Sequence, residues 1–225
     1  MSQCEIVRPV NQRAAYHVQI LHKKGYENLI KFPDIRGFGR DAFSTIQKLA
    51  KENTPRGFRV IMRSGEFGGQ PAEGSLALDL LGGEILRTTI KSMYDPNKEL
   101  KPSEVDSKSD AECVFDKIVS GKIPVPPLLN EEGIFVFKPS EMLAKEHLLF
   151  IPTIHWRDIS KVTDINFFGT LFVKIVNFAN REEFKGGFLL ESNNGPWAGQ
   201  IVPHLHFHMR GGEKLESPFW QDWQK

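Results

Sequence analysis

Gln200-Ile201-Val202-Pro203-His204-Leu205-His206-Phe207-His208-Met209 alternates three histidines with three apolar residues over its last six positions. A β-strand repeats its side-chain direction every second residue. His204, His206 and His208 are therefore expected on one face, with successive Cα atoms about 6.5–7 Å apart. Leu205, Phe207 and Met209 are expected on the other face, in a core. A helix would scatter the three rings around its circumference. Imidazole titrates near neutral pH and serves as nucleophile, acid, base or metal ligand, so three on one face point to chemistry.

The 225 residues around this stretch suffice for one large domain or two small ones, and 40% apolar with 25% charged residues is ordinary for a globular chain. A net charge of +1 argues against a nucleic-acid backbone or an anionic membrane as the main partner. Met1-Ser2-Gln3-Cys4-Glu5 has neither the charged nor the apolar region of a signal peptide, and Lys174 breaks the apolar run from Phe167 to Val176, so no membrane span is expected. Cys4 and Cys113 make no disulfide framework, which leads to a reducing cytoplasm as the expected compartment.

Upstream, the chain repeats itself. With His17 placed under His147, a shift of 130, Cys4–Gln70 aligns with Ile134–Gln200 without a gap, and Phe38-Gly39, Gly57-Phe58 and Gly69-Gln70 fall under Phe168-Gly169, Gly187-Phe188 and Gly199-Gln200. At a shift of 129, Gly82-Gly83-Glu84 then falls under Gly211-Gly212-Glu213. Under His204, His206 and His208 stand Ser75, Ala77 and Asp79, whereas Leu205, Phe207 and Met209 cover Leu76, Leu78 and Leu80. The core face of the strand is kept and its chemical face is replaced.

Each copy reads as strand, helix, strand and terminal strand. In the second, His147–Ile151 is a strand, Asp164 caps a helix to about Asn180, and Phe188–Glu191 is a strand. In the first, Asp41–Asn53 is the helix and Phe58–Met62 the strand. Ser92–Asp110 reads as a polar linker or long surface connection; beyond it Ser109-Asp110 caps a helix Ala111–Ser120, and Glu132–Lys138 is a strand. The expected organisation is a degenerate, truncated copy at 1–90, a linker at 91–110 and an active copy at 111–225.

Four segments together resemble the histidine triad family of nucleotide-binding proteins. His204 to Arg210 is similar to its alternating signature, Cys113–Pro124 to its first helix, Phe150–His155 to its strand-to-loop step, and Gly195–Gln200 to its phosphate-side loop. The resemblance implies an α+β fold, an antiparallel sheet with helices, here with two tandem copies as an intramolecular pseudo-dimer and hence a monomeric chain. It implies nucleotide hydrolysis or nucleotidyl transfer at an α-phosphorus through a covalent histidine adduct. His206 is then the nucleophile, His208 handles protons, and His204 with His155 orients the nucleophile. Asn193, Gln200 and the Gly199 backbone meet phosphate; Phe115, Ile118 and Phe137 enclose the base. The C-terminal Phe219, Trp220 and Trp223 are expected to dock on the other copy. His17, His22 and His147 read as structural, and Cys4 as a small core residue.

Two other readings stay open. One is a nucleotide-binding or scaffold protein without catalysis. The other is a metal protein using the histidine strand. No cofactor is expected. Some members of the family hold structural zinc with a Cys-x-x-Cys and two histidines, and the corresponding set here is Cys113, Asp116, His155 and His204.

Overall fold

The computed structural model describes residues 3–29, 32–70, 75–88, 97 and 99–215. The C-terminal aromatics and part of the 91–110 connection lie outside them. The described elements are β1 (Cys4–Val7), β2 (Tyr16–His22), α1 (Ile35–Asn53), β3 (Phe58–Ser64), β4 (Ala77–Gly82), α2 (Val114–Val119), β5 (Leu129–Glu131), β6 (Ile134–Phe137), β7 (Glu146–Pro152), α3 (Asn166–Ala179), β8 (Phe188–Asn194) and β9 (Phe207–Gly211). The strands form one nine-stranded sheet in the order β1-β2-β4-β3-β8-β9-β7-β6-β5. Every adjacent pair is antiparallel. The α+β class expected from sequence is the class observed.

Outward from the central β3–β8 seam the two halves run in the same order. β1, β2 and β3 recur with identical lengths as β6, β7 and β8 (4 to 134, 16 to 146, 58 to 188). The seam mirrors itself: Phe58 pairs with Asn194 and Ser64 with Phe188, with Ile61 opposite Glu191 at its middle.

One face of the sheet carries α1 and α3. Val60, Met62, Leu78 and Leu80 of one half and Phe150, Leu190, Phe207 and Met209 of the other share one core with Phe38, Phe43, Phe168 and Phe172. Burying each such ring contributes about 2–3 kcal/mol, and the stacked pair Phe43–Phe168, 4.3 Å between centroids, adds about 0.5–1.5 kcal/mol. The helices cross where neither has a side chain. A Cβ on Gly39 would stand 2.8 Å from the Phe168 carbonyl oxygen, and one on Gly169 2.8 Å from that of Arg36. This contact explains a correction. α1 begins at Ile35, not Asp41, with Asp34 accepting from the Gly37 N–H at 2.8 Å. Gly37 and Gly39 hide the first turn from propensity because their value lies in close packing.

Other boundaries move. The helix expected from Asp164 to about Asn180 is α3, with Ile165 rather than Asp164 at its N-cap, and Asp164 Oδ1 accepts from Asn166 N–H at 3.0 Å. The expected helix Ala111–Ser120 is a 3-10 turn Asp110–Glu112 followed by α2. The expected strand Glu132–Lys138 is β6 alone, with Glu132 at φ 48° in the turn from β5. The connection is not merely a surface linker near its end: Ser103 N–H donates to Pro196 O, Lys108 Nζ to Ile201 O, and Val105 is buried. α2 covers the opposite face of the sheet from α1 and α3, through Cys113, Phe115 and Ile118 over Phe135, Phe137, Leu149 and Ile151. No helix among the described residues is long and apolar enough to cross a membrane.

Candidate active site

The histidine strand is shorter than its alternation predicts. β9 starts at Phe207, so only His208 lies within the ladder. Pro203 offers no N–H to continue pairing. His204 N–H turns back to Val202 O at 2.8 Å instead. The two-sidedness nevertheless persists, with Leu205, Phe207 and Met209 in the core against the helices.

The turn separates the histidines into two groups. His206 and His208 enter a cavity of about 450 Å³, together with His147. His206 Nδ1 lies 2.7 Å from the His204 carbonyl oxygen. A carbonyl only accepts, so Nδ1 carries the proton and Nε2 keeps its lone pair. Burial pushes the His206 pKa down to about 4, which keeps the ring neutral at pH 7. Burial and the nearby Arg210 likewise bring His147 to about 4. His208 is driven well below the ordinary value by burial and by His206 and His147. His147 Nε2 and His208 Nδ1 share a hydrogen bond of 2.9 Å.

The rest of the floor is charged. Arg210 bonds Glu191 at 2.8 Å, and Asn193 Nδ2 donates to Glu191 Oε1 at 3.2 Å. Arg59 Nε donates to Asn193 Oδ1 across the seam. Phe115, Leu143, Ile201 and Val202 form apolar walls. Arg59, Leu86 and Thr88 reach the cavity from the first half, and Leu86 N–H donates to Trp197 O at 2.8 Å.

Of the residues expected in the site, His206, His208, Asn193, Gly199 and Phe115 line this cavity. Gly199 takes the left-handed conformation, φ 77°, and its N–H is given to Pro196 O rather than offered to a ligand. Gln200 is buried behind the loop: Oε1 accepts from Gly195 N–H, and Nε2 donates to the Arg157 and Val202 carbonyls. It shapes the loop and does not face the cavity. Ile118 and Phe137 belong to the apolar cluster under α2. His147, expected to be structural, lines the cavity, and so do Arg59, Glu191 and Arg210, which motif reading does not single out. A signal for Arg59 existed in the repeat, which sets it over Leu189.

His204 and His155 form the second group, with Cys113 and Asp116. They lie outside the cavity lining, so His204 reaches the chemistry through its backbone carbonyl. His204 Nε2 donates to Pro152 O at 2.9 Å, which leaves Nδ1 as a lone pair 3.6 Å from Cys113 Sγ and 3.2 Å from Asp116 Oδ1. His155 Nδ1 is 2.7 Å from Asp116 Oδ2. Tetrahedral zinc with ordinary Zn–N, Zn–O and Zn–S bonds separates ligand atoms by about 3.3–3.6 Å. The four donors are of the types that bind zinc and their ligand atoms lie within 4.8 Å of one another, with the His204 tautomer already fixed by its outer hydrogen bond. Burial raises the Cys113 thiol pKa, a cost that a bound cation removes by displacing the proton.

Comparison with known proteins places this geometry. A family model described as the HIT domain matches residues 121–215. Adenylylsulfatase HINT1 of Arabidopsis thaliana is 29% identical over 140 residues, covering 57% of this chain and 94% of that protein. Adenosine 5'-monophosphoramidase HNT1 of Candida albicans is 31% identical over 107 residues, covering 45% of this chain and 70% of that protein. The solved structure of a uridylyltransferase aligns with 95% of this chain and 76% of its own at a TM-score of 0.66 and 11% identity, a likeness of fold that extends over both halves.

Proposed function

The chain belongs to the HIT family, and we propose that it is a nucleotide hydrolase or nucleotidyl transferase working through His206. The observation that carries this reading is the His206 ring itself, neutral at pH 7 and held by the His204 carbonyl so that Nε2 presents a lone pair in the cavity wall. The names of the two relatives, an adenylylsulfatase and a phosphoramidase, support a substrate in which a nucleoside phosphate carries a sulfate or amine leaving group.

Nε2 of His206 attacks the α-phosphorus. A P–N bond forms, and the bond from phosphorus to the leaving group breaks with its electron pair. His147 Nε2 and His208 Nδ1 share one proton across 2.9 Å, which couples the two neutral rings. A proton from solvent, relayed by His208, goes to the leaving group as that bond breaks, so that His208 begins and ends the step neutral. Water, or another acceptor, then attacks the phosphorus of the adduct: a P–O bond forms, the P–N bond breaks with its electron pair returning to Nε2 of His206, and the acceptor's proton leaves through His208 to solvent.

The halves are two copies of one unit in this reading, the first (1–90) without the histidines, the second (111–225) with the site, joined by 91–110. The matching strand bounds and the mirrored seam support it. A chain that already contains its own partner is a monomer in solution, and light scattering at micromolar concentration checks this.

Zinc, where bound, cross-links the start of α2 to the loop after β7 through Cys113, Asp116, His155 and His204. Metal analysis of the purified protein, wild type against Cys113→Ser, measures it. The main reading is tested with adenosine 5'-phosphoramidate, adenosine 5'-phosphosulfate and dinucleoside polyphosphates. Absence of turnover for all of them, or an undiminished rate in His206→Ala, sinks it.

A further inference from the structure

Arg59 sits in β3, in the half that has no histidine strand, yet its side chain lines the cavity of the other half. Its burial is nearly complete, at 5% exposure. Three of its five N–H groups are used within the protein among the described residues: Nε–H on Asn193 Oδ1, one from NH1 on Arg87 O at 2.6 Å, and one from NH2 on Ala198 O at 3.1 Å. The guanidinium is thus held rigidly by three acceptors and keeps two N–H groups. Its nearest carboxylate is Glu191 at 3.7 Å, which Arg210 already neutralises at 2.8 Å. Glu141 also lines the cavity, but at its exposed rim, so the buried floor itself sets two guanidinium groups against the one carboxylate of Glu191.

The arrangement is one-sided. On the mirrored seam Arg59 faces Asn193, and the corresponding pair beside the first half is Leu189 facing Arg63. Leu189 packs into an apolar cluster with Ile61 and Leu81. An arginine is sent across the seam only toward the half with the histidines. A buried guanidinium whose one ion pair is long, 3.7 Å to Glu191, gains from a further anion, and its fixed planar fork matches two oxygens of a phosphate.

We propose that Arg59 is a phosphate-contacting residue of the site, supplied by the histidine-free half, and that the ligand it takes is the phosphoryl group transferred to His206. This rests on the reading of the cavity as a nucleotide site. It also gives the first half a function in the reaction: it brings in a second guanidinium beside Arg210, which is already held by Glu191 at 2.8 Å.

The test uses the full chain with Arg59→Met and Arg59→Lys, and two probes, AMP and adenosine, in titration calorimetry. Turnover of adenosine 5'-phosphoramidate is measured alongside. The expected result is a loss of AMP affinity of at least tenfold in Arg59→Met with adenosine affinity within twofold, and a partial recovery in Arg59→Lys, which keeps the charge and loses the fork. A merely structural residue would weaken both probes alike. Equal AMP affinity in Arg59→Met and wild type overturns the proposal, as does a parallel loss for both probes. If wild type binds AMP but turns over no substrate, the catalytic reading fails while the AMP comparison still decides Arg59. If wild type binds neither probe, both fall.

Discussion

Two pairs of side chains occupy the same place in the two halves of the sheet. In the second, His147 Nε2 lies 2.9 Å from His208 Nδ1. In the first, His17 Nε2 lies 2.9 Å from Asp79 Oδ1. The strands beneath them pair in the same register, Gln19 opposite Asp79 and Leu149 opposite His208. The Asp79 carboxylate is fully partnered: beside His17, Arg63 stands at 2.6 Å and Gln19 at 2.9 Å, and Asp79 itself has no exposed surface. Around His208 the wall opens onto a cavity. The same scaffold thus carries a sealed ion-pair network in one half and a pair of neutral, titratable rings in the other. Permanent charges buried at this depth require full compensation, whereas neutral imidazoles do not, and only the latter can face an open volume and change protonation during a reaction.

The largest way to break this contrast is at the position where the first half already has Ala77. His206→Ala is expected to reduce turnover by roughly 10³-fold or more, as loss of a nucleophile does, with the melting temperature changed by no more than a few degrees. A residual rate within tenfold of wild type would remove the functional half of the comparison.

Next come the paired positions themselves. Asp79→Asn strands the Arg63 charge and is expected to destabilise by about 3–5 kcal/mol, read as a shift in denaturant midpoint at pH 7. His208→Gln is expected to cost about 1 kcal/mol of stability or less while lowering turnover. Similar unfolding curves for the two variants contradict the division into a structural and a functional pair.

Acid sharpens the comparison further. His147 and His206 have folded pKa values of about 4 against an ordinary 6.5. The unfolded chain therefore takes up protons between pH 6.5 and 4 that the folded chain does not. The stability these groups contribute is fully present above pH 6.5 and is lost as the pH falls toward 4, by up to about 3 kcal/mol for each ring. Asp79 behaves differently. Burial raises its pKa, but Arg63 and the His17 hydrogen bond more than offset that and hold it below the ordinary carboxylate value, so its contribution survives to lower pH. Urea unfolding at pH 7, 5.5 and 4.5 is expected to fall steeply in wild type and more gently in His147→Gln. Parallel lines would show that the second half does not set the acid limit.

The smallest effects lie where the halves are alike. Gly39→Ala and Gly169→Ala each drive a methyl toward a carbonyl oxygen of the opposite helix, and each is expected to cost about 1–3 kcal/mol. A twofold or greater inequality in their unfolding free energies would mean that the crossing is not as even as its geometry.

Much of this architecture is legible in the chain. Apolar Leu205, Phe207 and Met209 over Leu76, Leu78 and Leu80 mark the same core face twice, and the unbroken shift between residues 4–70 and 134–200 anticipates strands of equal length in both halves. Local pattern reads poorly where long-range contact overrides it. The start of α1 contains two glycines, and the reason for one of them, Gly39, lies in another helix about 130 residues away, at Phe168 and Phe172. Alternation of the histidines is blind to the turn at Pro203, which takes His204 out of the row.

From the sequence alone come the antiparallel sheet with its core face and the expectation of a repeat with its chemistry in the second half, because strands and their faces follow from side-chain periodicity, and periodicity is a local property. The membership of the site is decided only in three dimensions. His204 and His155 join Cys113 and Asp116, Gln200 turns inward to brace its loop, and His147 and Arg59 enter the cavity. Each of these follows from hydrogen bonds and burial between segments far apart in the chain, with Arg59 reaching Asn193 across the seam. No spacing within a single stretch encodes where a guanidinium from the other half will come to rest.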